Sequence, residues 1–243
     1  MQLVTLCLSV LASGPLSEPQ DVPAEGVAVV ELFTSEGCSS CPPADRLLAR
    51  LSERRMENVF LLAYHVTYWD YLGWRDPFGH KSFDERQRRY AQVLGERTYT
   101  PQMIVNGSAV FVGSDAGRAR EAIEENLRTP AKTRIALDIS RPVADKVKVA
   151  YALQEATLSV MLHFAVVESG LESRVSRGEN AGRTLGHVGV VRGFSSVSGG
   201  SKTSGIVEIG VPPELNSATA AVIVWAQEPD SLAIVGAASK ALQ

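Results

Sequence analysis

Two of the chain's three cysteines, Cys38 and Cys41, are separated only by Ser39 and Ser40. A bridge between residues so close restrains an unfolded chain very little, so the pair is poorly suited to stapling a fold. It suits chemistry better, either thiol–disulfide exchange or metal ligation. In exchange a thiolate attacks a disulfide, and a second thiol resolves the mixed disulfide that forms. Position assigns Cys38, expected nearer the surface, as the nucleophile and Cys41 as the resolving thiol. Structural zinc wants four donors, often two such pairs. Here one pair accompanies four scattered histidines at 65, 80, 163 and 187. Exchange is therefore the leading reading, with no metal and no organic cofactor expected. The metal alternative is a copper or zinc carrier using Cys38, Cys41 and His65.

Other side chains could serve the same chemistry. Glu31 lies within the apolar run Val29-Val30-Glu31-Leu32-Phe33. Burial there would raise its pKa and let it shuttle a proton to or from Cys41. The competing reading pairs it with an arginine or turns it to solvent. Glu36 reads as a loop charge that opposes a thiolate. His65, Tyr68, Trp69, Asp70, Tyr71, Trp74 and Asp76 cluster at or beyond the end of a second strand. Ligands of α/β folds bind at the carboxyl ends of strands, the end that should also carry the cysteines. Tyr68, Trp69 and Trp74 are thus candidate substrate-binding residues, although the tryptophans equally suit a small satellite core. Arg177, Glu179, Asn180, Arg183 and His187 read as a solvated polar loop, with a partner-binding or interdomain role as the alternative.

These residues need elements to position them. Residues 27–33 form a β-rich apolar run, read as a buried strand. After Pro42 and Pro43, Ala44, Leu47, Leu48 and Leu51 share one helical face. Proline has no N–H and is favoured at the first helical position. The regular helix should therefore begin at Pro42 with Cys41 as its cap, which weakens the helix dipole's hold on Cys38. A second strand spans 58–66, and Ser82 with Glu85 makes a capping box for a helix through Leu94. Residues 102–105 and 109–112 flank Asn106-Gly107, the preferred pair of a type I′ hairpin turn. A further helix fits 115–128. The first two strands should be parallel and the last two antiparallel.

From about Thr133 the character changes to short strands, at 135–139, 147–153, 158–167, 187–191, 206–209, 220–225 and 232–235. Gly/Ser-rich turns separate them, which predicts a β-rich, sandwich-like second unit. The expected division is a signal peptide over 1–14, a linker over 15–26, an α/β domain over 27–130 and the β-rich domain over 131–243. The leading apolar run is too short to span a bilayer, although no Lys or Arg precedes it as in most signals. Removing it would take away Cys7 and leave only the Cys38–Cys41 pair. With 24 basic against 27 acidic residues, the net charge of −3 argues against a nucleic-acid groove or a polybasic membrane anchor.

The strand–CSSC–helix unit, with Thr100-Pro101 before the hairpin, resembles the thioredoxin superfamily. The segments ELFTSEGCSSCPPAD, YWDYLGWRDPF, YTPQMIVNG and RGENAGRTLGHVGVVR together resemble a bacterial family of secreted thioredoxin-like proteins of unknown function. The resemblance runs over nearly the whole mature chain. It implies a thioredoxin-like mixed sheet with flanking helices in the first unit, and export. It also implies a cis-proline at Pro101 facing the cysteines, with Thr100 beside it pairing through its backbone with bound peptide. It supplies no activity. Thr67 stands where an acidic residue is expected. The combined expectation is a periplasmic or secreted protein acting on protein or small-molecule thiols and disulfides. No nucleic acid and no stable membrane span are expected. A non-catalytic thioredoxin-fold binding module is the alternative.

Overall fold

The computed structural model describes residues 25–140, 145–154, 159–199 and 203–242. The expected signal peptide, and the expected linker up to residue 24, lie outside the described residues.

The first half follows the order strand β1 (Ala28–Thr34), helix α1 (Pro42–Glu53), β2 (Val59–His65), α2 (Lys81–Leu94), β3 (Gln102–Val105), β4 (Ala109–Val112) and α3 (Ala116–Arg128). β1 pairs in parallel with β2 and antiparallel with β3, and β3 forms a hairpin with β4. Asn106 and Gly107 both take positive φ in the hairpin turn, 47° and 74°, as a type I′ turn requires. Alternation along β1 sends its side chains to two faces. Ala28, Val30 and Leu32 pack with Leu47, Leu48 and Leu51 of α1 and Ile123 of α3. Val29 and Phe33 pack on the opposite face with Tyr64, Phe83 and Tyr90.

The second half contains β5 (Arg134–Ile139), β6 (Lys146–Gln154), β7 (Met161–Glu168), β8 (Leu171–Arg174), β9 (Thr184–His187), β10 (Val190–Ser198), β11 (Ser204–Gly210), β12 (Ala220–Gln227) and β13 (Ile234–Ala241). Four of its strands, β7, β10, β12 and β13, extend the sheet of the first half. The main sheet has eight strands in the order β13-β12-β7-β10-β2-β1-β3-β4. β10 joins β2 through the parallel pair Val190 and Ala63, and the remaining second-half strands continue antiparallel. A second sheet, β11-β6-β5, packs on this extension. There Val147, Val149 and Ile209 meet Leu162, Phe164, Val166, Val222 and Val224. The sandwich-like packing thus shares one of its sheets with the α/β half. Among the described residues the fold is a mixed α/β architecture of one large mixed sheet, three α-helices and many strands.

Two local expectations need correction. Ser82 does not cap α2. His80, in extended conformation, precedes the helix, and its Nδ1 accepts from the Ser82 N–H at 3.2 Å. The strand expected at 187–191 is divided, because Gly189 takes a φ of 62° between β9 and β10. A Cβ there would lie 2.7 Å from the Leu61 carbonyl oxygen. The chain therefore turns where it meets β2. Before that turn, β8 and β9 pair as a separate two-stranded ribbon.

Candidate functional site

Cys38 and Cys41 lie between the end of β1 and the start of α1, at the carboxyl end of the parallel strands. The helix begins at Pro42 with Cys41 as its cap, as the tandem prolines dictate. Pro42 and Pro43 have no N–H to offer. The Cys41 N–H goes to the Cys38 carbonyl, and those of Ala44 and Asp45 go to the Cys41 carbonyl. The groups that usually make a helix N-terminus attract an anion are therefore missing or engaged, and the Cys38 sulfur draws its support from side chains. The Cys41 thiol donates to it, as does the Ser40 N–H, and the Ser40 hydroxyl lies 3.2 Å from it.

Both thiols are free, yet electrostatically they are far apart. The hydrogen bond from Cys41 leads the effects that bring Cys38 down from 9.0 to about 6, against burial, with Ser40 and Thr100 assisting. Cys41 is pushed well above the thiol range, by burial first and then by its tie to Cys38 and the charge of Asp45. The expectation that Cys38 is the more exposed sulfur is not met: both residues are 0% exposed. Cys38 differs by its hydrogen bonds, and its neighbours Ser39 and Ser40 are what solvent reaches.

Beneath the pair lies a buried cluster of acids and histidines. Asp45 is one helical turn on from Cys41 and accepts from the Thr34 hydroxyl at 2.8 Å. Burial raises its pKa, against the pull of His187 and His65. His65 Nδ1 lies 2.8 Å from Asp76 Oδ2, which also accepts from the Glu36 N–H. Burial alone would lower the His65 pKa, but Asp76, with Asp45 and Glu36, raises it. Burial likewise opposes ionisation of Asp76, and His65 with the Glu36 and Phe78 N–H groups holds that carboxyl below its usual range. Among the described residues His65 Nε2 is buried without a hydrogen-bond partner. The Glu36 carboxylate receives Trp74 Nε1 at 2.7 Å and lies 3.0 Å from His187 Nε2. The two imidazoles meet edge-on, centroids 4.9 Å apart.

The candidate residues divide in the structure. Thr100 and Pro101 face the cysteines: the Cys38 thiol lies 3.8 Å from the Thr100 carbonyl, and the Thr100–Pro101 peptide is cis. Trp69 donates to the Thr100 hydroxyl at 2.7 Å and packs on Gly37, where a Cβ would lie 2.8 Å from its own. Its ring stacks on exposed Tyr71. Tyr68 is tied to Gln87, and Trp74 braces Glu36. Glu31 is a correction. It points to the α2 face, where Arg86 grips it through two nitrogens at 2.6 and 2.9 Å and Tyr90 donates at 2.5 Å. So engaged, it is not the proton carrier for Cys41. Arg86 also lies within 5.6 Å of the ring centroids of Tyr64, Tyr90, Phe194 and Trp225. At position 67, where an acid is expected, Thr67 bonds Asp84 through its N–H and hydroxyl.

Cys38, Cys41 and His65 do not form the alternative metal set: among the described residues no three His, Cys, Asp or Glu side chains converge as a metal site. Sequence reasoning missed Asp45. The available signal was its spacing of four from Cys41, which places both on one helix face. It also ranked the 177–187 loop too low. Asn180, 0% exposed, donates to the carbonyls of Glu36 and Cys38, and Glu179 accepts from the Ser39 N–H. No helix among the described residues is long and apolar enough to cross a membrane.

A family model described as protein of unknown function (DUF1223) matches residues 29–227. The crystal structure of an Agrobacterium tumefaciens protein, a structural-genomics target, is similar with 28% identity and a TM-score of 0.63. The match covers 90% of this chain and 96% of that one. A domain of the outer membrane lipoprotein Omp28 from Porphyromonas gingivalis matches at 10% identity and a TM-score of 0.28, over 45% of this chain and 94% of that one. That similarity carries no argument. No curated protein matches the chain.

Proposed function

The chain belongs to the DUF1223 family of proteins of unknown function, and from that premise we propose that it is a thiol–disulfide exchange protein. Its working unit is read as thioredoxin-like, acting outside the cytoplasm on protein or small-molecule thiols and disulfides. The reading of the unit is supported by the strand–CSSC–helix order, the parallel β1–β2 pair and Pro101 before the β3–β4 hairpin. Export rests on the leading apolar residues alone. One observation carries the function: the Ser40 hydroxyl lies 3.2 Å from the Cys38 sulfur, whose pKa is brought down, while burial pushes up the Cys41 thiol one helical turn from the Asp45 carboxyl. That is the division of labour exchange needs.

The Cys38 thiolate attacks one sulfur of a partner disulfide. A bond forms between Cys38 and that sulfur, the partner's S–S bond breaks, and the second partner sulfur leaves as a thiolate that takes a proton from solvent. Cys41 then gives its proton to the Asp45 carboxylate and attacks Cys38. The first partner sulfur is expelled as a thiolate, and the Cys38–Cys41 disulfide forms. The pair loses two electrons and the partner gains two. The reverse sequence oxidises a dithiol. The same geometry lets Thr100 present its backbone to a bound chain, with Trp69 alongside.

Full burial of both sulfurs favours a second reading, a binding module whose cysteines never meet a partner. One experiment separates the two. The Cys41→Ser chain, incubated with glutathione disulfide at pH 7, should accumulate a stable glutathione adduct on Cys38, detected by peptide mass. Cys38→Ser should accumulate almost none. Absence of the adduct in the folded Cys41→Ser chain favours the binding module, and equal adducts in both variants contradict the assigned roles.

A further inference from the structure

The loop that follows Cys38 is gripped from the far half of the chain. Asn180 lies between β8 and β9, 142 positions after Cys38. Its amide nitrogen donates to the Glu36 carbonyl at 2.8 Å and to the Cys38 carbonyl at 2.9 Å. An amide nitrogen has two hydrogens, so both are used. The amide oxygen accepts from Arg183 Nη1 at 2.9 Å. Arginine only donates and carbonyls only accept, which leaves one orientation of the amide that satisfies all three contacts. Two further contacts come from the same ribbon. Glu179 accepts from the Ser39 N–H at 3.0 Å, and His187 meets the Glu36 carboxylate.

What this grip holds is the geometry of the attacking sulfur. The Cys38 carbonyl accepts from the Cys41 N–H and from Asn180. With that carbonyl and the Glu36 carbonyl fixed, the turn from Gly37 to Cys41 is held at both ends. In this turn the Ser40 hydroxyl lies 3.2 Å from the Cys38 sulfur, and the Cys41 thiol lies beside it. The helix cannot substitute, because its first two residues are prolines.

We propose that Asn180 is a positioning residue for Cys38: by clamping the Glu36 and Cys38 carbonyls it keeps the Ser40 and Cys41 donors on the attacking sulfur, so that the second half of the chain sets the reactivity of the cysteines in the first. This rests on the exchange reading for what the sulfur is used for, and on geometry alone for what Asn180 does to it. Asn180 carries no charge and touches neither sulfur. The titratable groups of the surrounding elements are Cys41 and Asp45 of α1, Glu36 of the loop, His65 of β2, Asp76, Glu179 and His187. All of them remain when Asn180 is changed, so an altered titration reports altered donor geometry.

The test is the pH dependence of iodoacetamide alkylation at Cys38 in the reduced full-length chain, with the modified cysteine identified by peptide mass. The unaltered chain should show a midpoint near 6. Asn180→Ala should move it up by about one unit or more, toward the free-thiol value of about 8.5. Asn180→Ser, which changes no charge but is too short to reach both carbonyls, should move it the same way by less. A purely structural role would lower the melting temperature and leave the midpoint in place. Unchanged midpoints in the folded variants overturn the proposal, and Asn180→Ser decides if Asn180→Ala does not fold. Alkylation needs no disulfide partner. Midpoint shifts without a glutathione adduct on Cys41→Ser would thus sustain the clamp and reject exchange. An adduct without midpoint shifts would do the opposite.

Discussion

Two buried polar clusters flank the same sheet, and they differ in what their acids are paired with. On the α2 face, Glu31 has a bidentate Arg86 and the Tyr90 hydroxyl, with aromatic rings around the guanidinium. At the carboxyl end of the strands the acids meet histidines, burial raises the Asp45 pKa, and the two cysteines are driven in opposite directions. A buried ion pair with its hydrogen bonds filled gives up little by staying as it is. A carboxyl whose pKa is raised, one helical turn from a buried thiol, is suited to taking that thiol's proton. Both clusters are buried and both contain acids, so burial does not distinguish them. The partners do: Glu31 is held by an arginine that stays charged, whereas the acids of the second cluster meet histidines and thiols, groups that the proposed exchange can use.

The sharpest way to break that comparison is to delete one member from each cluster. Cys38→Ser should abolish exchange with glutathione disulfide and leave the melting temperature at pH 5, where the thiol is neutral, nearly unchanged. Arg86→Met should do the reverse. It strands the Glu31 carboxylate and should cost about 3–5 kcal/mol in denaturant unfolding, while the alkylation midpoint of Cys38 stays where it is. Adding Glu31→Gln to that variant should restore much of the loss, since removing both charges leaves no unpaired one. A midpoint that moves with Arg86→Met would merge the two clusters into one.

A third substitution sharpens the reactive side. Asp45→Asn should slow resolution of a Cys38 mixed disulfide by about a hundredfold, the low end of general acid–base contributions. The first attack should proceed at an unchanged rate. Stopped-flow release of a chromogenic thiol measures both phases, and an unaltered second phase would remove Asp45 from the proton's path.

The cysteine pair was legible because spacing alone limits what it can do, and α1 was legible because two prolines and an apolar stripe leave few alternatives. The strands of the first half followed from their β-rich runs, and the hairpin from Asn106-Gly107. The acid near Cys41 was misassigned. Glu31 sits in a strand buried on both faces, so nothing in the alternation tells which side it joins. Asp45 looks like an ordinary polar helix residue until the fold places His187 beyond it. Asn180 and His187 were beyond reach for a different reason. They arrive through a register set by β10 against β2, where one pair, Val190 with Ala63, joins the halves of the sheet. That same junction hid the continuity of the eight strands. Local pattern reveals strands but not which distant strand closes the next ladder.

The smallest effect concerns stability and pH. Cys38 has a folded pKa below its unfolded one, so its ionisation stabilises the folded chain fully above the unfolded pKa of about 8.5, and this contribution is lost as pH falls through about 6. The stability of the reduced chain relative to Cys38→Ser should therefore rise between pH 6 and pH 8.5, as read by urea unfolding. A flat difference would show that the thiolate is not favoured by the fold.

The account stands most directly on the reduction potential of the Cys38–Cys41 pair, measured by equilibrating the full chain in glutathione and dithiothreitol buffers and trapping the thiols with acid. Exchange predicts a reversible two-electron couple between about −120 and −270 mV, with a single intrachain disulfide in the oxidised form. Two alkylatable thiols in every buffer would contradict it and leave the cysteines as part of a binding surface.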